Sequence, residues 1–296
     1  MARVLVTGAG GFLGAHVSAA LRAAGHDVTA PDRRSGLDVA DAAAVERVIA
    51  GVRPAACVHL AGIARGTEAE LMRTNVDGTR HVLEALARHA PGCHVVLAGS
   101  AAEYGRTSDL HAALTEDLPC DPLNAYGRSK LLATRLGEEF ASGLAAVSTV
   151  RLFNVVGAGI GEQLLIGALL RRIRAALADG ARAEVVVGNV DVERDYVAVA
   201  DVANGIVALL EVPGARGVFN LCSGRAVTVR RVVETLLSFA PRPIAWRQDP
   251  DLVRPDDIRR SVGSFARARS AFDFEPATSL EAALRSAWSA YFGGEP

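Results

Sequence analysis

The chain opens on Val4-Leu5-Val6-Thr7-Gly8-Ala9-Gly10-Gly11-Phe12-Leu13-Gly14, a short apolar run that meets three evenly spaced glycines. Few local patterns restrict a fold more. Residues 3–7 are too few for a helix and rich in β-branched side chains, so they read as a strand. Residues 12–24 read as a helix, ended by Gly25. Joining the two needs Gly8 for a tight turn, Gly11 where a ligand nears the backbone, and Gly14 for close helix–strand packing. A unit of this kind belongs to a parallel sheet wound from βαβ repeats.

The alternation continues. Residues 27–30, 56–60, 94–98 and 146–153 read as strands, and 45–50 and 75–89 as helices. Asn124 can cap a further helix that stops near Gly143. Past Gly157 the regularity weakens. Residues 164–178 and 199–210 read as helices and 184–187 as a strand, with 217–221 a strand that can return to the main sheet. From Thr228 the tail holds a helix, a proline-rich turn region and a final helix over 280–291. We expect an α/β fold with a doubly wound, Rossmann-type parallel sheet. Residues 1–156 would form a nucleotide-binding domain completed by parts of 188–223, and 157–296 mainly a smaller, interwoven lobe.

Half of the 296 residues are hydrophobic, ample for a core of this size. A formal net charge of −1 argues against a nucleic-acid surface. Cys57, Cys93, Cys120 and Cys222 show no C-x-x-C spacing, so neither a zinc site nor a disulfide framework is expected. No apolar run approaches the ~18 residues that span a bilayer, and no signal-like start precedes the first strand. A cytoplasmic protein without membrane contact is the expectation.

The helix after Gly11 offers unpaired N–H groups at Phe12 and Leu13, with a partial positive charge, to a pyrophosphate. Asp32, at the end of the second strand, stands where an acid meets an adenosine ribose and favours NAD. Arg33 and Arg34 follow directly and favour the 2′-phosphate of NADP. The cofactor expectation is therefore NAD or NADP. Asp38-Val39 fits the adenine edge, and a loop-capping aspartate fits equally. Leu60-Ala61-Gly62 ends a strand whose backbone would line the cofactor, while Asn75 reads as a helix cap.

Tyr126 and Lys130 lie four apart on one helix face, so an ammonium can sit beside a phenol. A free phenol has a pKa near ~10, and a neighbouring positive charge brings it towards the working range. Ser100 follows a buried strand and would project at the carboxyl edge of the sheet, where ligands of open α/β sheets bind. Its hydroxyl there can share a carbonyl oxygen with Tyr126.

Gly8-x-x-Gly11-x-x-Gly14, Ser100 ahead of Gly105, and Tyr126-x-x-x-Lys130 together resemble the extended short-chain dehydrogenases/reductases acting on nucleotide sugars. Residues 99–105, Arg151-Leu152-Phe153-Asn154, Gly188-Asn189, Arg194-Asp195-Tyr196, residues 220–225 and Leu252-Val253-Arg254-Pro255 are similar to GDP-4-keto-6-deoxy-mannose reductases and related 4-ketoreductases. The resemblance implies Tyr126 as acid/base, Ser100 as the group polarising the carbonyl, and Lys130 as the tyrosine's activator and nicotinamide-ribose ligand. It implies a nucleotide-diphosphate sugar as substrate, held by Asn154, Asn189 and the arginines Arg194 and Arg254.

Departures narrow the reaction. Ala101 and Ala102 stand where sugar dehydratases carry Asp-Glu, and no cysteine lies in residues 100–105 for epimerisation at C3 and C5. Val155 replaces a histidine common in the related reductases. The reading is hydride transfer to a C4 ketone, with a nucleotide-sugar 4-epimerase holding NAD tightly as the alternative. A homodimer is expected through helices 75–89 and 131–140, for which Val82, Leu83 and Leu86 are candidate contacts, although burial within one subunit accounts for them equally.

Overall fold

Along the first strand, Val4 and Val6 enter one apolar core and Leu5 another. All three are fully buried, so this strand is covered on both faces, as interior strands of parallel sheets are. The computed structural model describes residues 1–33, 36–179, 184–253 and 257–294. The strand is β1 (Arg3–Thr7), followed by α1 (Phe12–Ala23), β2 (Asp27–Thr29), α2 (Ala42–Val52) and β3 (Ala56–His59). Then α3 (Glu68–Leu71) runs through a π-helical turn, Met72–Asp77, into α4 (Gly78–His89). Next come β4 (His94–Ser100), α5 (Ala125–Phe140), β5 (Ala146–Leu152), β6 (Asn154–Val156), α6 (Leu165–Ala178) and β7 (Glu184–Val187). The chain continues through β8 (Glu193–Arg194), β9 (Tyr196–Ala198), α7 (Val199–Glu211), β10 (Gly217–Leu221), β11 (Val227–Thr228) and α8 (Val229–Ser238). It ends with β12 (Ala245–Gln248), β13 (Arg260–Ser261), α9 (Ala266–Phe272) and α10 (Leu280–Phe292).

Six strands pair in parallel in the order β10-β5-β4-β3-β1-β2. The chain steps outward from β1 to β2, then crosses back to place β3 on the other side of β1, with Thr7 opposite His59. That reversal opens a crevice at the carboxyl ends of β1 and β3, where such sheets bind ligands. One face is covered by Val17 and Leu21 of α1, Val202, Ile206 and Leu209 of α7, and Phe272 of α9. The other is covered by Val45 and Ile49 of α2, Val82, Leu83 and Leu86 of α4, and Leu136 of α5. A third core joins Leu169, Leu170 and Ile173 of α6 to Val232 and Leu236 of α8, Leu284 and Trp288 of α10, and Val185 of β7.

Several expectations change. The helix read over 75–89 starts earlier and is interrupted by the π turn, because Asn75 is drawn inward to bond the chain after β3. Helix α2 begins at Ala42 because the Asp41 side chain accepts from the Ala43 and Ala44 N–H groups. The strand read over 146–153 breaks at Phe153, and β6 turns off to pair with β9. Val82, Leu83 and Leu86 are fully buried in the core of one subunit, so they do not form an outward contact face. Each contributes roughly 1.5–3 kcal/mol to the chain's own folding instead.

Candidate active site

The switch point becomes a cleft of about 590 Å³ lined by the glycine loop, the ends of β3 and β4, the start of α5, and residues from the α6, β9 and β13 side. Gly8 adopts φ +72°, and a Cβ there would lie 2.6 Å from the Ala61 nitrogen. At Gly14 a Cβ would lie 2.2 Å from the Gly8 oxygen, so helix and loop touch backbone to backbone. Gly11 caps α1 without any side-chain hydrogen bond, leaving first-turn N–H groups for an anion. Gly8, Gly11, Phe12, Leu13, Gly14, Leu60 and Gly62 all line the cleft. This cradle fits a dinucleotide pyrophosphate.

Asp32 lies beside the loop, its Oδ2 3.5 Å from where a Gly10 Cβ would stand. Arg33 pairs with Asp38 at 3.5 Å, the arginine exposed and the aspartate half-buried. Asp38 Oδ1 also accepts from the Ala40 N–H at 3.0 Å, which makes it a loop-capping aspartate. Val39 is buried under α4, and the Ala61 N–H points to Thr7 Oγ1 at 3.3 Å. Neither of these two lines the cleft wall. Arg34 and Arg254 lie outside the described residues.

Ser100 ends β4 and faces Tyr126 and Lys130 of α5 across the cleft floor. Asn124 caps α5 by accepting from the Gly127 N–H at 2.9 Å, which fixes the helix start. Lys130 is nine-tenths buried and its Nζ donates to the Ala98 carbonyl at 2.9 Å. Burial pulls its pKa down, and the Glu103 carboxylate pulls it back up. The Tyr126 phenol is pushed above its ordinary value, chiefly by burial and further by Glu103; the Ser100 hydroxyl works the other way. The direction is opposite to the one its spacing from Lys130 suggests. Desolvation of a phenolate outweighs its neighbours here, and the ammonium is already engaged by a carbonyl.

Behind the floor runs a polar chain that sequence reasoning missed. Asn75 Oδ1 accepts from the Ile63 N–H at 2.8 Å, while its Nδ2 donates to the Ile63 carbonyl and to Ser129 Oγ, each at 2.9 Å. Ser129 in turn donates to the Tyr126 carbonyl at 2.8 Å. The π turn that presents Asn75 is the structural mark of this role, since such turns gather at functional sites. His59 bridges Thr7 at 2.7 Å and Thr79 at 3.1 Å. Burial, helped by Lys130, lowers its pKa to about 3, so the imidazole is neutral.

On the far wall, Arg194 donates to Asp257 Oδ1 at 2.8 Å and to the Glu193 carbonyl at 2.9 Å. Asn154 lines the wall but spends its Nδ2 on the Asp195 carbonyl at 2.8 Å. Asn189 is elsewhere: its Oδ1 accepts from the Asp191 N–H at 3.2 Å in a local turn. Tyr196 lines the cleft with a buried hydroxyl that lacks a hydrogen-bond partner among the described residues. Its place in Arg194-Asp195-Tyr196 was the available signal. Among the described residues no cluster of His, Cys, Asp or Glu could hold a metal ion, and no helix is long and apolar enough to cross a membrane.

Residues 4–222 match the NAD dependent epimerase/dehydratase family. The chain belongs to that family. Its relatives include GDP-6-deoxy-D-mannose reductase of Pseudomonas aeruginosa, 32% identical over 96% of this chain and 95% of the relative. They also include UDP-glucose 4-epimerase of Corynebacterium glutamicum, 30% identical over 97% of this chain and 95% of the relative. Among solved structures, RMD from Pseudomonas aeruginosa complexed with NADPH has a TM-score of 0.88 at 29% identity and covers 99% of each chain. Family membership makes this chain an enzyme that uses NAD or NADP.

Proposed function

We propose that the protein reduces the C4 ketone of a nucleotide-linked 4-keto-6-deoxy sugar at the expense of NADH or NADPH. The observation that carries this reading is Ser100, Tyr126 and Lys130 converging on one cleft whose neighbouring positions are Ala101 and Ala102. A hydride donor, a proton donor and an oxygen-polarising hydroxyl suffice for a ketone reduction, and the alanines add no further acid or base.

Gly8, Gly11, Phe12, Leu13 and Gly14 would hold the pyrophosphate, Asp32 and Arg33 would serve the adenosine end, and Leu60 and Gly62 would line the path between. The dinucleotide, when bound, supplies the hydride. Ser100 donates a hydrogen bond to the ketone oxygen and Tyr126 delivers the proton to that oxygen. A phenol held above its ordinary pKa is fully protonated at neutral pH, the state a proton donor needs. Lys130, fixed by its bond to the Ala98 carbonyl, stands ready to stabilise the phenolate left behind. Arg194 faces the nucleotide diphosphate from the far wall, as a charged fork suits phosphate oxygens.

The test mixes the protein with GDP- and dTDP-linked 4-keto-6-deoxy sugars and each reduced dinucleotide, and follows loss of the reduced-nicotinamide absorbance. No oxidation with any pair refutes the reading. A 4-epimerase with tightly held NAD is the second reading, favoured by the UDP-glucose 4-epimerase relative. It requires isomerisation of a sugar with no added dinucleotide.

A further inference from the structure

Glu103 is fully buried behind the cleft floor and takes no part in the chemistry above. Its carboxylate receives three donors. The Ser100 N–H reaches Oε1 at 2.8 Å, while Arg151 Nε–H and the Thr134 hydroxyl reach Oε2 at 2.9 and 3.1 Å. These donors come from the end of β4, from β5 and from α5. Thr134 continues the four-residue stripe of Tyr126 and Lys130, so it lies on the same helix face. The fit is close: a Cβ on Gly99 would stand 2.7 Å from Oε1. Arg151 is itself buried, donates to Cys120 Sγ at 3.2 Å and lies 4.6 Å from the Tyr104 ring centre.

A buried ion pair is a poor device for stability, since desolvation offsets its attraction. What the pair supplies here is a fixed frame. We propose that Glu103 is a positioning residue that ties Ser100 to the Tyr126–Lys130–Thr134 face of α5 and sets the charge balance at the Tyr126 phenol. This rests on the reading of Ser100 and Tyr126 as the groups that meet the ketone. The titratable groups around Glu103 are Tyr126 and Lys130 from α5, Arg151 from β5, and Cys120 from the segment before α5. Glu103 pushes the pKa of both Tyr126 and Lys130 upward, adding to burial at the phenol and opposing it at the amine, so one carboxylate favours the protonated form of each.

The test labels tyrosine Cζ with ¹³C, which gives one signal for each of the four tyrosines, and Y126F assigns the one of interest. In E103Q an anion is lost and Arg151 is left uncompensated, so both changes favour phenolate and the Tyr126 midpoint falls by on the order of one unit. An unchanged or raised midpoint in folded E103Q overturns the proposal. T134V keeps every charge but cuts the tie to α5. It leaves the Tyr126 midpoint in place and speeds hydrogen exchange of the Ser100 amide roughly tenfold. Unchanged exchange overturns the proposal, and so does a midpoint shift as large as that of E103Q. If E103Q does not fold, T134V decides alone. Neither measurement uses a substrate, so a protein that reduces no sugar still answers, and a working reductase with unmoved titrations sinks only this inference.

Discussion

Replacing Asn75 with alanine removes three hydrogen bonds at once, two to the Ile63 main chain and one to Ser129. Asn75 is 1% exposed, so water does not readily replace them. At about 1 kcal/mol net for each lost bond, the cost is about 3 kcal/mol. For a chain of this length that corresponds to a fall in Tm of about 5 °C. Asn154→Ala is the matched control: the residue is exposed and its amide makes one bond, to the Asp195 carbonyl. It should cost at most about 1 kcal/mol. Urea unfolding and calorimetry of the two variants beside the parent check both figures. Dinucleotide affinity, read by fluorescence, should drop for Asn75→Ala because Ile63 lines the cleft. Equal destabilisation by the two variants, or a Tm change below about 1 °C in Asn75→Ala, refutes the claim that this side chain staples the cleft floor.

Tyr126→Phe should lower turnover by roughly 10²–10⁴-fold while leaving the Kd for the reduced dinucleotide within about threefold, as single-turnover kinetics and titration would show. Gly14→Ala places a methyl 2.2 Å from the Gly8 oxygen, so the turn must open and dinucleotide binding should be lost in a binding assay. His59 titrates near 6.5 unfolded and at about 3 folded, so its stabilising effect is complete above pH 6.5 and lost as pH falls towards 3. The slope is at most about 1.4 kcal/mol per pH unit. His59→Gln should be less stable at neutral pH yet show a flatter stability profile between pH 6 and 4 in chemical unfolding.

What the sequence disclosed was local. The glycine spacing, the cap at Asn124 and the four-residue step from Tyr126 to Lys130 each depend on neighbours within a turn or two. The return of residues 217–221 to the sheet was also readable, because its apolar run has the length of a strand. The interrupted helix before α4 was not readable. Its π turn follows from Asn75 reaching Ile63 and Ser129, contacts made only in the folded chain. Strands β8, β9, β11 and β13 span two or three residues, too few to show a period. Glu103 sits in a turn, where a carboxylate normally faces water. Nothing local signals that Arg151, far along the chain, will meet it. The upward shift of Tyr126 escaped for the same reason: spacing gives the distance to a charge but not the burial of the phenol.

The β10 strand pairs with β5, and α7 lies over the same sheet face as α1. During synthesis β5 therefore emerges with a bare edge and a greasy flank, and both wait about 60 residues for cover. A fragment cut after residue 156 would keep Val150 but lose Ile206 and Leu209 from the apolar core they share. It should clump rather than act as a detachable nucleotide-binding module. The apolar core on that face is complete only once Phe274 has left the ribosome.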